Sequence, residues 1–306
     1  MNNDLFNEIV NNMLKKNLQM TSLIITQGDK EYKHLFEQEK VTNIRSISKT
    51  MTSLALGIAI SKGYFKKGVE TYIMPYFDDV IITNKTNQKY LEKIQIKHLI
   101  TLTFGIDAQI LNERHIETLE EGTDLLKFAL NYPIKYKAGT FFFYSNAPTY
   151  LLSVIIEKEV GIKLSKFFQK AVIDKLNITS FDWVESKQHH TMGCTGIKML
   201  PSDLHKLGKL FLNNGVYNNE QIIPIEWLKE MSTLKVLTPN KFDGSRALSK
   251  YGYGYNLWLC KNGIYYHDGS GGQYMIVIPS KNILITTTGN QKDMKPITDC
   301  IRKLFS

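Results

Sequence analysis

Strand-like segments stand only near the two ends of this sequence, and the stretch between them carries helical periodicity. Residues 20–27 (Met-Thr-Ser-Leu-Ile-Ile-Thr-Gln) read as a strand, Gly28-Asp29 as a turn, and Glu31 to Phe36 as the returning strand. Four more short strands are expected at Tyr253–Leu259, Ile264–His267, Tyr274–Ile278 and Ile283–Thr287. Met1 to Lys16 reads as an amphipathic helix, and Asp293 to Phe305 as a second terminal helix. In the middle, Ile47, Met51, Leu54 and Ile58 recur at helical spacing until Gly63. Pro148 opens another helix that ends at Gly161. Ser202 or Asp203 can cap a third, with Leu204, Leu207, Leu210 and Phe211 on one face. Strands from both termini pairing into one sheet, with helices inserted between, give an α+β protein whose two parts share a cleft.

Composition excludes several classes. With 43% hydrophobic and 22% charged residues, the 306-residue chain has enough apolar surface for a sizeable core. No apolar run is long enough to span a membrane. The first helix lacks the apolar core and cleavage site of a signal peptide, so the expected location is the cytoplasm unless a leader precedes it. The net charge of +9 comes from scattered lysines; only Arg45, Arg114, Arg246 and Arg302 are arginines. No nucleic-acid signature accompanies them, and no nucleic-acid partner is expected. Cys194, Cys260 and Cys300 are too widely spaced for a disulfide framework or a metal knuckle, and Cys194 lacks a paired base in the sequence. His189-His190 and His267-Asp268 have no correctly spaced further ligands, so neither metal nor other cofactor is expected.

Three local features carry chemistry. In Arg45-Ser46-Ile47-Ser48-Lys49-Thr50 the serine and lysine lie one helical turn apart at a helix start. A serine hydroxyl is a poor nucleophile until a neighbour takes its proton, and a partly desolvated lysine can do so. The helix N-terminus favours the negative charge that develops. Ser232-Thr233-Leu234-Lys235 has the same spacing at the wrong end of a helix and reads as chance. Next, Tyr144-Ser145-Asn146 precede the Pro148 helix. The pair offers a phenol that exchanges protons and an amide that can hold a carbonyl, or else a buried tyrosine and a capping asparagine. Last, in His267-Asp268-Gly269-Ser270-Gly271-Gly272 a glycine at 269 would let a substrate approach the strand edge, and the Ser270 N–H could face an oxyanion. A plain glycine-rich turn is the alternative, and a strand after the glycines speaks against a phosphate loop.

In this order the features resemble the serine β-lactamase and penicillin-binding-protein superfamily, whose motifs are Ser-x-x-Lys, a Tyr- or Ser-x-Asn loop and a Lys- or His-x-Gly strand. Tyr-x-Asn and His-x-Gly point to its branch of class C β-lactamases, DD-peptidases, D-aminopeptidases and esterases. Residues 94–106 look like the family's "ITIRHLLTHTSGL" segment and Ala138-Gly139-Thr140 like its "PGT". The resemblance implies an antiparallel sheet flanked by helices, beside an all-helical lobe. Residues 1–64 and 240–306 would form the sheet lobe and 65–239 the helical lobe of a single unit, 1–306.

The resemblance also implies roles. Ser46 would attack a carbonyl of a small-molecule or peptide substrate, cleaving an ester or amide bond through an acyl-enzyme. Lys49 would assist proton transfer and Tyr144 would act as general base; which of the two is the base stays open. Asn146 would hold the substrate amide, His267 and Gly269 would belong to the substrate-binding strand, and the N–H groups of Ser46 and Ser270 would bind the oxyanion. A penicillin-binding DD-peptidase or β-lactamase is the nearest alternative, and a non-catalytic ligand-binding or scaffold member is another. His267-Asp268-Gly269 replaces the Lys-Thr-Gly of many relatives, so a partly charged histidine and a carboxylate stand where a lysine and a hydroxyl are usual. Poor acceptance of substrate carboxylates is therefore expected, with neutral or amine-bearing esters and amides preferred. Leu102 and Phe104, where the family often has His and Ser, read as packing.

Overall fold

The computed structural model describes residues 1–239 and 248–305. The expected return to the sheet lobe at residue 240 falls outside these. Eight antiparallel strands form one sheet: β1 (Met20–Gln27), β2 (Lys30–Leu35), β3 (Val236–Leu237), β4 (Gly252–Tyr253), β5 (Trp258–Leu259), β6 (Tyr265–Gly269), β7 (Gln273–Ile278) and β8 (Ile283–Gly289). Their order is β2-β1-β8-β7-β6-β5-β4-β3. The first hairpin thus joins the C-terminal strands through β1 and β8, with Ile25 opposite Ile285. The expected single strand 253–259 is two strands. Asn256 adopts a left-handed φ of 58° between them, and Gly254 donates to Leu257 O across the turn. A Cβ on Gly254 would stand 2.0 Å from Met231 O, so only glycine fits at the start of this turn.

Helices cover both faces. The apolar side of α1 (Asn3–Lys15), with Phe6, Ile9, Val10 and Met13, packs with Ile25, Ile276 and Ile285. The opposite face, with Met275, Val277 and Leu284, belongs to a second core that continues into the helical region. That region is centred on α2 (Ser48–Ser61) and α3 (Ala147–Val160), each buried nearly all round because its neighbours enclose it. Next comes α4 (Pro201–Leu212), which starts on its proline with no side-chain cap; Asp203 instead accepts from Ser180. Although the expected division assigns 201–212 to the helical lobe, α4 lies on the sheet. His205 there bonds Thr26 through Nε2 and Thr286 through Nδ1, both at 2.8 Å. A short α5 (Lys295–Cys300) ends the fold beside α1. Among the described residues no helix is long and apolar enough to cross a membrane.

Candidate active site

Ser46 stands in a single 3-10 turn, Arg45–Ile47, that leads into α2. Backbone N–H groups in a first helical turn have no partner within the helix, so Ser46 can offer its own to an anion. The turn is fixed from outside. Ile44 N–H donates to Ile197 O at 2.9 Å, and Ser48 Oγ bonds Arg45 O and the Ile197 N–H. Arg45 has a left-handed φ of 55°, a conformation costing a non-glycine residue about 1–2 kcal/mol. Such strain persists where the surroundings over-determine it; here Asn43 Oδ1 accepts the Arg45 N–H at 2.8 Å.

One turn on, Lys49 is 1% exposed. Its Nζ lies 3.2 Å from Ser46 Oγ, 2.6 Å from Asn146 Oδ1 and 2.9 Å from the Cys194 carbonyl. Burial lowers its pKa to about 8, with the Asp268 charge holding part of that fall back. Cys194 serves through its backbone. Its thiol is buried and pushed up to about 11 by that burial, so it is no nucleophile.

Asn146 opens α3 without capping it. Oδ1 accepts from Lys49 and Nδ2 donates to Leu111 O at 3.0 Å, so the amide orients the lysine. Desolvation and then the nearby Asp268 raise the Tyr144 pKa above the usual phenol range; Ser46 beside it favours the ionised form but is outweighed, so the hydroxyl stays protonated. Its ring stacks on Trp258 at 5.5 Å, and the Lys49 Nζ is 5.0 Å from its centre.

The third segment places its members differently from expectation. Ser270 lines the groove, and Asp268 faces it, but His267 does not. Alternation along β6 turns His267 to the opposite side, 2% exposed, where Nδ1 meets Thr50 Oγ1 at 2.6 Å. It therefore touches no substrate space. Gly269 serves packing: a Cβ there would sit 2.5 Å from Ile44 O and 2.8 Å from Arg45 Cβ. Asp268 is not a bare charge. Trp258 Nε1 donates to its Oδ1 at 2.8 Å and Lys250 Nζ lies 3.6 Å from Oδ2.

The groove encloses about 1060 Å³. Phe141, Phe143, Tyr144 and Trp258 give it an aromatic wall, and Arg45, Arg114, Lys250, Lys292 and Lys295 outnumber Glu113, Asp268 and Asp293. Sequence reasoning missed Trp258, Lys250 and the Cys194 carbonyl; any residue carries a carbonyl, so the last leaves no sequence signal. His189 and His190 diverge from the site: His189 is exposed and His190 bonds Glu157 at 2.7 Å. Leu102 and Phe104 are buried, and the Leu102 carbonyl accepts the Phe143 N–H, tying down the tyrosine loop.

The beta-lactamase family model matches residues 7–300. The chain therefore belongs to the beta-lactamase family, a family of hydrolases. Among solved structures it is similar to the octameric penicillin-binding protein homologue from Pyrococcus abyssi, at 21% identity and a TM-score of 0.77, over 99% of this chain and 76% of that one. It is also similar to a beta-lactamase/D-alanine carboxypeptidase from Yersinia pestis, at 16% identity and TM-score 0.77, over 99% of both chains. A third, EstCE1, described as a hydrolase with promiscuous acyltransferase activity, shares 15% identity at TM-score 0.75, over 97% of this chain and 98% of that one. At these identities the likeness shows the fold. No curated protein matches the sequence.

Proposed function

We propose that the protein is a serine hydrolase cleaving an ester or amide bond through an acyl-enzyme on Ser46. The surroundings of Lys49 carry this reading. Two of its neighbours, Asn146 Oδ1 and the Cys194 carbonyl, are acceptors only. A neutral amine has two N–H donors and one lone pair. With both donors committed to those carbonyls, the lone pair faces Ser46. A pKa near 8 leaves roughly a tenth of the lysine neutral at pH 7. Tyr144, held protonated, cannot serve as the base at neutral pH but carries a proton to give, which Lys49 can then replace.

The proposed sequence follows. Lys49 takes the Ser46 proton as Oγ attacks the carbonyl carbon. The oxyanion is met by the N–H groups of Ser46 and Ser270. As the intermediate collapses, Tyr144 gives its proton to the leaving atom, and the proton on Lys49 restores the phenol. Water repeats the cycle on the acyl-enzyme. Asn146 positions Lys49 throughout.

The expected preference for neutral or amine-bearing substrates rested on a partly charged His267 and an ionised Asp268 in the groove; with His267 buried against Thr50 and Asp268 paired with Lys250, that basis goes. With Arg45 paired to Glu113, Lys250 to Asp268 and Lys295 to Asp299, Arg114 and Lys292 are the groove cations that favour a second reading, an amide bearing a carboxylate, as in a penicillin-type peptidase. Incubation with a penicillin and, separately, a p-nitrophenyl ester, followed by peptide mapping, tests both. An adduct on Ser46 from either supports the nucleophile, and the faster reagent ranks the readings. Equal modification of the Ser46→Ala variant overturns them.

A further inference from the structure

We infer that His267 is a positioning residue that holds β6, and with it the Ser270 N–H, against the helix carrying Ser46 and Lys49. This rests on the Ser46 reading above. His267 Nδ1 is 2.6 Å from Thr50 Oγ1, and Thr50 follows Lys49 in the chain. The Thr50 hydroxyl has one proton, which it donates to the Asn256 carbonyl at 2.9 Å. Nδ1 therefore carries the ring proton and donates to Thr50. That tautomer leaves Nε2 as a bare lone pair. It is buried without a hydrogen-bond partner, the only side-chain nitrogen or oxygen so placed among the described residues. Phe211 packs on the ring at 4.9 Å between centres.

A side chain kept only for packing would not leave a polar atom unsatisfied, because that costs about 1–3 kcal/mol. A leucine would fill the same apolar space without that cost. What a leucine lacks is the Nδ1–H bond that joins strand to helix. The next residue but one, Gly269, makes the second contact of the same kind, lying against Ile44 O and Arg45 Cβ. Ser270 follows directly, so its N–H is set by both contacts. Burial lowers the His267 pKa to about 3, so the ring is neutral wherever the protein works.

The test compares His267→Leu, His267→Asn and Thr50→Val with the wild type. Two readouts are taken: steady-state hydrolysis of a p-nitrophenyl ester and amide hydrogen exchange across 265–271. In His267→Leu we expect kcat to fall about tenfold or more with KM little changed, the magnitude of a displaced oxyanion donor. The melting temperature stays equal or rises, and exchange at 268–271 quickens. Thr50→Val gives the same fall in kcat and the same quicker exchange, but melts lower, because it leaves the His267 Nδ1–H and the Asn256 carbonyl unpaired. Asn, whose amide nitrogen occupies the place of Nδ1, recovers most of kcat. A His267→Leu protein with wild-type kcat, or with unchanged exchange, overturns the inference. If the wild type never acylates Ser46, the Ser46 reading and the positioning role fall together; the exchange data still separate that result from a ring that does not clamp the strand.

Discussion

Among the described residues Lys49 is the one buried lysine, and its charge is what the site has to manage. Because the neutral amine is the reactive form, acylation should rise with pH, half-maximal near 8 and falling about tenfold per unit below. A pH–rate profile of ester hydrolysis checks this. Lys49→Arg, which stays charged, should lose about 10²–10⁴ of that rate. Stability moves in the same direction, over a higher window. The unfolded lysine titrates near 10.5 and the folded one near 8, so the unfolded state binds more protons between these values and the fold gains stability as pH rises through that window. Lys49→Met should therefore melt higher than wild type at pH 7, with the gap narrowing above pH 8. Spacing and chemistry made Ser46, Lys49, Tyr144 and Asn146 readable in the sequence. Their mutual contacts were not, since these depend on the carbonyls of Cys194 and Leu111. His267 was misplaced although a signal existed: Tyr265 and His267 share one strand face, and Asp268 takes the other.

At the scale of elements, α2 shows how little slack surrounds the nucleophile. Gly57 in its middle faces Trp227, whose indole N–H donates to Ser53 O at 2.8 Å. A Cβ on Gly57 would stand 2.1 Å from that ring. Gly-to-Ala in a helix ordinarily stabilises by about 1 kcal/mol. Here Gly57→Ala should instead destabilise by about 1–3 kcal/mol through overpacking, read by urea denaturation. Gly269→Ala should leave the far-UV spectrum intact and slow ester hydrolysis about tenfold or more by moving the Ser270 edge. Most elements were legible because period-two and period-3.6 patterns persist along them: β1, β7, β8 and α2 start within two residues of expectation. The break between β4 and β5 was not, because it turns on the left-handed φ of Asn256, and the close approach of Gly254 to Met231 O comes from more than twenty residues away in sequence.

Across the whole molecule, the two chain ends build the sheet that holds one side of the groove. The seven-residue pairing of β1 with β8 and the packing of α1 on that face make the first 27 residues part of the core. Phe6, Ile9, Val10 and Met13 each contribute about 1.5–3 kcal/mol when fully buried, a sum comparable with the net stability of a typical domain. A chain lacking residues 1–15 should lose its cooperative urea transition. The shared sheet was legible from the placement of strand patterns at both ends; that α4 belongs to it was not, because a helix pattern does not say which neighbour it meets. The central claim, that Lys49 activates Ser46, is tested most directly by one experiment. The protein is reacted with a serine-directed fluorophosphonate across a pH series, and the rate and site of modification are read by peptide mapping. The account predicts a single adduct on Ser46, a rate half-maximal near pH 8, and its loss in Lys49→Arg. An adduct at another residue, or a Ser46 rate that is flat across that range and indifferent to Lys49→Arg, would contradict it.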